Sequence, residues 1–117
     1  MPSVSCERVG LILRSGEVIE LVNISNTPNK AFAVAPEDMI KYEGSATATW
    51  HTHPESSSDL SGEDYIGFTM WPDFLHLIFG TEGVQGYLVV NGAILKDARK
   101  DHPAWSSAPL VADRLRM

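Results

Sequence analysis

His51 and His53 flank a single threonine near the middle of the chain, and Pro54 follows directly. The residues before them are rich in threonine and include a tryptophan, which favours a β-strand over Ala46–Thr52. Side chains alternate between the two faces of a strand, so both imidazoles are expected on the same face. Proline cannot donate to a sheet ladder, which predicts that this strand stops at Pro54.

A second group of polar residues follows this strand. After a loop over residues 55–60, Ser61 suits the N-cap of a helix and Asp64 its first turn. Two imidazoles and one carboxylate would leave the fourth tetrahedral position of a zinc ion open, as catalytic zinc requires. We therefore predict a zinc site with His51, His53 and Asp64 as ligands. The spacing of Ser61 and Asp64 also suits a helix start that needs no metal. Ser61 can cap that helix and donate a hydrogen bond to an oxyanion at the same time.

The hydrophobic pattern of the whole chain predicts an α/β fold in a single domain. Apolar or alternating runs favour further strands over residues 8–14, 17–24, 32–35, 74–79, 86–90 and 93–95. Pro36 and the acidic residues after it suit a helix start, and Gly44 suits the end of that helix. The pair Asn91-Gly92 is typical of a tight turn between antiparallel strands. This order fits a mixed β-sheet flanked by helices.

Length and composition limit the class of protein. A chain of 117 residues, 44% hydrophobic and 21% charged, is ordinary for one soluble domain with a modest core. No apolar run reaches the roughly 20 residues that span a bilayer, and residues 1–5 have no signal-peptide character. The single cysteine, Cys6, agrees with a reducing compartment, so we expect a cytoplasmic protein. The net charge of −6 disfavours nucleic acid or an anionic membrane as the main partner.

The C-terminal part of the chain differs in character from the rest. From Asp97 onward it is polar, contains Pro103 and Pro109, and shows no hydrophobic periodicity. We expect a domain over residues 1–100, followed by a surface tail over residues 101–117 that contacts the domain through Trp105.

The spacing of these polar residues resembles the signature of the JAB1/MPN/Mov34 metalloenzymes, the JAMM proteases. The matching pattern is His51-x-His53-Pro54, Ser61 seven positions later and Asp64 three positions after that. The family also has a glutamate in an early strand, followed closely by a Gly-Leu apolar run. Residues 6–13 match that run with Glu7 at the glutamate position. The resemblance extends from about residue 7 to residue 95.

A finer resemblance concerns the branch of that family. The small size, the Leu60-Ser61 step and the pattern Phe32-x-Val34-x-Pro36-x-Asp38 are most similar to the phage tail-assembly K-type proteins. Those proteins often carry a second, cell-wall-peptidase domain, for which this chain has no matching segment. Most family members also have a helix before the glutamate strand. Here six residues precede Glu7, which suggests a shortened form of the fold, or a sheet face covered by a second subunit or by the tail.

The resemblance implies a JAB1/MPN, cytidine deaminase-like architecture and a zinc-dependent peptidase or isopeptidase. His51, His53 and Asp64 would bind Zn²⁺, Glu7 would act as general base, and Ser61 would donate a hydrogen bond to the oxyanion. The substrate would be a protein or peptide, such as a ubiquitin-like or phage tail-assembly protein. A peptidoglycan amide is a further candidate. A homo-oligomer would be compatible with the shortened N-terminus.

Several competing interpretations apply to the same residues. Glu17 and Glu20 are rival carboxylates on the next strand. Cys6 would be a thiol nucleophile only with a histidine context that is missing, so a small apolar role is favoured. His76, within an apolar strand, suits a structural histidine with a satisfied ring. Deaminase zinc chemistry is excluded because its Pro-Cys-x-x-Cys half is missing. A non-catalytic scaffold of the same fold is the alternative function.

Overall fold

The structure is a computed structural model, and it describes residues 7–25, 34–42, 44–53, 74–97, 100 and 102–115. Those residues form an α/β fold whose strands are β1 (Val9–Leu13), β2 (Val18–Leu21), β3 (Ala46–Thr52), β4 (Leu75–Gly80), β5 (Gly83–Val90) and β6 (Ala93–Lys96). Their helices are α1 (Pro36–Tyr42), a 3₁₀ turn (Pro103–Ser107) and α2 (Ala108–Leu115).

The six described strands pair in one sheet, in the order β2-β1-β3-β4-β5-β6. The β3–β4 pair is parallel and the other neighbouring pairs are antiparallel, so the predicted mixed sheet is confirmed. β1 lies between β2 and β3, and its residue Val9 pairs with Leu21 on one side and His51 on the other. The start of β1 therefore lies beside the histidine strand.

Local sequence signals account for most of these boundaries. The strand over Ala46–Thr52 is confirmed at both ends. The Asn91-Gly92 turn joins β5 to β6, and both residues have positive φ, 51° and 80°, as a type I′ turn requires. Helix α1 begins at Pro36 and ends before Gly44, as predicted. The strand predicted over residues 32–35 is wrong where it is described, because Val34 and Ala35 lie outside the sheet.

One face of the sheet, which we call the apolar face, carries the larger core. Its buried members come from β1, β3, β4 and the C-terminal segment: Ile12, Ala48, Trp50, Leu75, Leu77, Ala104, Ala108 and Val111. The C-terminal segment therefore covers this face.

The tail predicted over residues 101–117 was expected to lie on the surface without hydrophobic periodicity, and its described part differs from that expectation. Pro103–Ser107 and Ala108–Leu115 are helical, and the Val111 side chain is fully buried. Apolar residues at 104, 108, 111 and 115 recur every three or four positions, so one helical face packs on the sheet. The expected contact through Trp105 is confirmed, since Trp105 packs against the same core.

Two glycines give the apolar face room for two indole rings. A Cβ atom at Gly10 would overlap the Trp50 ring and the carbonyl oxygen of Ile19. A Cβ atom at Gly86 would overlap the ring of Trp105. The indoles therefore lie directly on bare main chain, and the Trp105 ring is fixed further by a 2.8 Å hydrogen bond from Nε1 to Asp97 Oδ2.

The opposite face, which we call the site face, is built differently. Near β2 it has a small apolar core of Val9, Leu11, Leu21 and Ala46, against which Met39 and Tyr42 of α1 pack. Along the centre of the sheet it carries three buried histidines, His51, His53 and His76. Among the described residues no helix is both long and apolar enough to cross a bilayer.

Candidate metal site

The register of β1 and β3 brings Glu7 opposite His53. Val9 pairs with His51, and main-chain pairing continues one step beyond β1, where the Thr52 N–H donates to the Arg8 carbonyl at 2.9 Å. The Arg8 N–H donates to Thr52 Oγ1 at 2.8 Å. One residue further along each strand, Glu7 and His53 face each other, and alternation places their side chains on the site face with His51.

Three side chains converge there. The ligand atoms of Glu7, His51 and His53 all lie within 4.8 Å of one another. The two Nε2 atoms are 3.3 Å apart, and the imidazole rings meet edge to face with their centroids 5.0 Å apart. The exposed fractions are 8%, 1% and 7%, so the group is shielded from bulk water. The two imidazoles therefore lie on the same face of the sheet, as the alternation of side chains along β3 predicted.

Main-chain bonds on both sides fix the histidine strand. The His53 N–H lies just beyond β3 and donates to the Phe79 carbonyl of β4 at 2.8 Å. His51 lies within β3 and pairs with Val9 and Ile78 of the neighbouring strands. The two imidazoles are therefore carried by backbone held in the centre of the sheet, as a preorganised site requires.

The donor set suits a divalent transition metal. Two imidazoles and a carboxylate lie buried at one point, where a bound cation would interact favourably with all three. Imidazole nitrogen and carboxylate oxygen are ligands that such metals accept. Glu7, His51 and His53 could thus hold a metal ion between them.

The other predicted members of the site lie outside the described residues. Asp64, the predicted third zinc ligand, and Ser61, the predicted oxyanion donor, belong to residues 54–73, as does the helix expected to start at Ser61. Cys6 also lies outside the described part of the chain. The roles of these residues stay predictions.

The structure separates Glu7 from the two rival carboxylates. Glu20 forms a two-point ion pair with Arg8, with Nε–Oε2 at 2.8 Å and Nη2–Oε1 at 2.7 Å. Alternation along β1 directs Arg8 and Glu7 to opposite faces, so Glu20 is held away from the histidines. Glu17 is exposed at the turn after Leu13, at the far end of β1. The hydrogen bond that Arg8 donates to Glu20 also raises the pKa of the Arg8 guanidinium, against the lowering effect of burial.

His76 has the satisfied ring that was predicted for it. Its Nδ1 lies 2.7 Å from Thr49 Oγ1, and its ring stacks on Phe74 at a centroid distance of 6.3 Å. The residue is buried on the site face, with Thr49 two positions before His51 on β3. His76 therefore lies beside the cluster of Glu7, His51 and His53, and it is hydrogen-bonded to the strand that carries His51.

Asn23 contacts the main chain of Glu7 and was not among the residues predicted for the site. Its side-chain Nδ2 donates to the Glu7 carbonyl oxygen at 2.9 Å, and its Oδ1 accepts from the Ser25 N–H at 3.0 Å. Nothing in the local pattern around Asn23 indicates this contact. It follows from the pairing of β1 with β2, which joins residues far apart in the chain.

Comparison with known proteins gives a likeness in fold. No protein-family model matches the chain, and no curated protein matches it. Its structure is similar to the solution structure of protein DSY2949 from Desulfitobacterium hafniense, with a TM-score of 0.58 and 22% identity. The match covers 80% of this chain and 76% of that one. At this identity the likeness concerns the fold alone, and it agrees with an α/β domain built on a mixed sheet.

Proposed function

We propose that this chain is a zinc-dependent metallopeptidase or isopeptidase of the JAMM type, with the JAB1/MPN architecture. One observation carries the proposal: Glu7, His51 and His53, which the resemblance assigned to such a site, have ligand atoms within 4.8 Å of one another in a buried position. Glu7 precedes the two histidines by 44 and 46 residues in the sequence. Their convergence was a requirement of the hypothesis, since imidazoles directed apart would have excluded it.

His51 and His53 would bind the metal through their adjacent Nε2 atoms, with Asp64 as the predicted third ligand. A zinc ion, when bound, acts as a Lewis acid that polarises the substrate carbonyl and lowers the pKa of water to about 7. The burial of both rings excludes competing water, which strengthens electrostatic interactions within the site.

Glu7 would act as the general base. Its carboxylate lies close to both imidazole rings, within reach of a water molecule that approaches the same point. It takes a proton from that water as the oxygen attacks the amide carbon, and returns it to the leaving amine as the C–N bond breaks. Ser61 is the predicted donor to the oxyanion.

The substrate in this proposal is a protein or peptide, with a ubiquitin-like or phage tail-assembly protein as the candidate classes. A peptide or isopeptide bond must reach a recessed group, so the scissile segment has to be an extended, accessible stretch of chain. A cytoplasmic location fits such partners and the single cysteine of the sequence.

The arrangement also suits a metal site without turnover, which corresponds to a non-catalytic scaffold. Because the Glu7 oxygen lies as close to the histidines as a ligand would, Glu7 can be either the base or the third ligand. If Glu7 coordinated the metal in addition to His51, His53 and Asp64, four protein ligands would close the site and favour a structural role.

The test combines metal content with two matched substitutions. We expect one zinc per chain by elemental analysis, and cleavage of some member of a panel of ubiquitin-like fusions and muropeptides that a chelator stops. Glu7→Gln should keep the zinc and lose turnover. Glu20→Gln, the same change on the opposite face, should keep both.

Each other outcome has a defined meaning. Zinc that is lost on Glu7→Gln would identify Glu7 as a ligand. Stoichiometric zinc with no cleavage of any panel member would favour the scaffold. A Glu7→Gln protein that cleaves at the wild-type rate would show that the base is another residue.

A further inference from the structure

Glu7 lies two residues before β1, and its main chain is flanked by the residues that follow β2 and β3. Val9 pairs with Leu21 of β2, so by the same antiparallel register Glu7 comes opposite Asn23. β2 ends at Leu21, two residues earlier. Glu7 is thus flanked by His53 on one side and by Asn23 on the other.

The direction of the Glu7 carbonyl follows from the bonds of Arg8. Arg8 bonds to Thr52 through both its N–H and its carbonyl, so the Arg8 main chain is directed toward β3. Successive residues of a strand direct these groups to alternate sides, and the Glu7 carbonyl is therefore directed toward the end of β2. There the Asn23 side chain, rather than a strand N–H, donates to it at 2.9 Å.

The Asn23 side chain is itself fixed. Its Oδ1 accepts from the Ser25 N–H at 3.0 Å, which closes a turn of the kind asparagine commonly forms. The Glu7 carbonyl needs a donor and the Ser25 N–H needs an acceptor. The orientation of the Asn23 amide is therefore determined, with its nitrogen toward Glu7 and its oxygen toward Ser25. Asn23 connects the chain after β2 to the residue that carries the proposed base.

We infer that Asn23 is a positioning residue for Glu7. It holds the Glu7 main chain in place through the carbonyl, so that the carboxylate stays directed toward His51 and His53. The inference rests on the proposed function, since positioning matters only if Glu7 moves a proton. A base must lie within hydrogen-bond reach of the proton it takes, and a misplacement of about 1 Å can cost about a hundredfold in rate.

Two substitutions separate the two bonds of Asn23. Asn23→Asp keeps the acceptor for the Ser25 N–H and loses the donor to Glu7, whereas Asn23→Ala loses both. The matched control is Arg14→Ala, which removes a side-chain bond to a carbonyl (Arg14 Nη1 to Gly44 O, 3.1 Å) just beyond the opposite end of β1. The proteins are measured as full chains, both zinc-loaded and metal-free.

The first measurement is kinetic and uses whichever fusion or muropeptide the wild type cleaves. Both Asn23 variants should lower kcat by about tenfold or more, with KM and the zinc dissociation constant within about threefold of wild type. Arg14→Ala should leave all three unchanged. A parallel fall of kcat, zinc affinity and thermal stability in the Asn23 variants would show a merely structural residue and overturn the inference.

The second measurement needs no substrate and no metal. Amide hydrogen exchange at Arg8 and Thr52 should be about three- to tenfold faster in both Asn23 variants, because the start of β1 opens more readily without that bond. Arg14→Ala should accelerate exchange at its own end of β1 only. Unchanged exchange at Arg8 and Thr52 would overturn the inference even if the wild type is an active peptidase. If the wild type binds no zinc and cleaves nothing, the proposed function fails, and this exchange experiment still decides whether Asn23 holds the Glu7 segment.

Discussion

Trp50 and His51 are neighbours on β3, yet their side chains enter different surroundings. Trp50 is fully buried on the apolar face, among leucines, alanines and the C-terminal helix. His51 is 1% exposed on the site face, with its Nε2 against that of His53 and beside a carboxylate. One strand therefore serves two purposes, since alternation assigns odd and even positions to opposite layers.

The difference shows where stability and function reside. Apolar burial on the Trp50 side contributes free energy wherever the volume is filled. The buried imidazoles and carboxylate on the His51 side are polar, so they contribute less free energy through apolar burial. We therefore expect substitutions on the two faces to affect different measurements, and the following predictions test that separation.

The largest effect on folding is expected on the apolar face. Leu77→Ala removes a fully buried side chain from the main core and should lower the free energy of unfolding by about 2–5 kcal/mol. The zinc dissociation constant of the folded protein should change by less than about threefold. Urea unfolding and a chelator-competition titration measure the two quantities. A Leu77→Ala protein with weakened zinc binding would mean that the faces are coupled.

The reverse pattern is expected on the site face. His53→Ala removes one of the two proposed nitrogen ligands and should weaken zinc binding by about a hundredfold to a thousandfold, since roughly 10–16 kcal/mol of zinc binding in structural sites is divided among four ligands. The metal-free protein should lose less stability than Leu77→Ala does. The same titration and urea curves check this, and retention of tight zinc binding would remove His53 from the ligand set.

A smaller effect is expected where an ion pair links the sheet edge to the C-terminal helix. Glu20 pairs with Arg8, and Arg114 Nη1 of α2 lies 3.8 Å from Glu20 Oε1. Because the Arg8 and Glu20 side chains keep 34% and 27% exposure, Glu20→Gln should cost only about 1 kcal/mol or less of unfolding free energy. The loss should shrink in 1 M salt if charge is the cause. An equal loss at low and high salt would point to packing instead.

The smallest effect concerns pH and the cap of the 3₁₀ turn. His102 Nδ1 accepts from the Ala104 N–H at 3.1 Å, and burial lowers the pKa of His102 below 6.5, although Asp97 acts to raise it. The unfolded chain then takes up a proton at higher pH than the folded chain does. Wild-type stability should therefore be complete above about pH 6.5 and decline as the pH falls through the folded pKa.

His102→Asn is the matched variant for that prediction, since asparagine can cap without titrating. Its stability should fall less than that of the wild type between pH 7 and pH 5, as measured by thermal unfolding at each pH. Identical slopes for the two proteins would show that His102 does not contribute to the pH dependence.

Local signals predicted much of the fold because they act over a few residues. The threonine-rich alternation before His51 set the bounds of β3, and the positive φ preference of Asn91-Gly92 set the β5–β6 turn. The helix α2 was missed because Pro109 and the polar composition concealed its periodicity. The recurrence of Ala104, Ala108 and Val111 at helical spacing was nevertheless a usable signal.

The site was predictable in part for the same reason. Alternation is local, so it placed His51 and His53 on one face. The position of Glu7 opposite His53 depends on the pairing of Val9 with His51. Because these residues are far apart in the chain, no local sequence pattern predicts which residues of the two strands pair. Glu7 was instead predicted as a site residue from the resemblance to a known family. Nothing comparable pointed to Asn23, whose contact exists only because β2 ends two residues short of it.

The two glycine–tryptophan contacts of the apolar face restrict how this protein can vary. At Gly10 and Gly86 the space that a methyl group would need is already filled by the rings of Trp50 and Trp105. A new side chain at either glycine is tolerable only if the ring opposite becomes smaller, and a smaller ring alone leaves a cavity. Each pair should therefore mutate in a compensated fashion, so related sequences that differ at one partner are expected to differ at both.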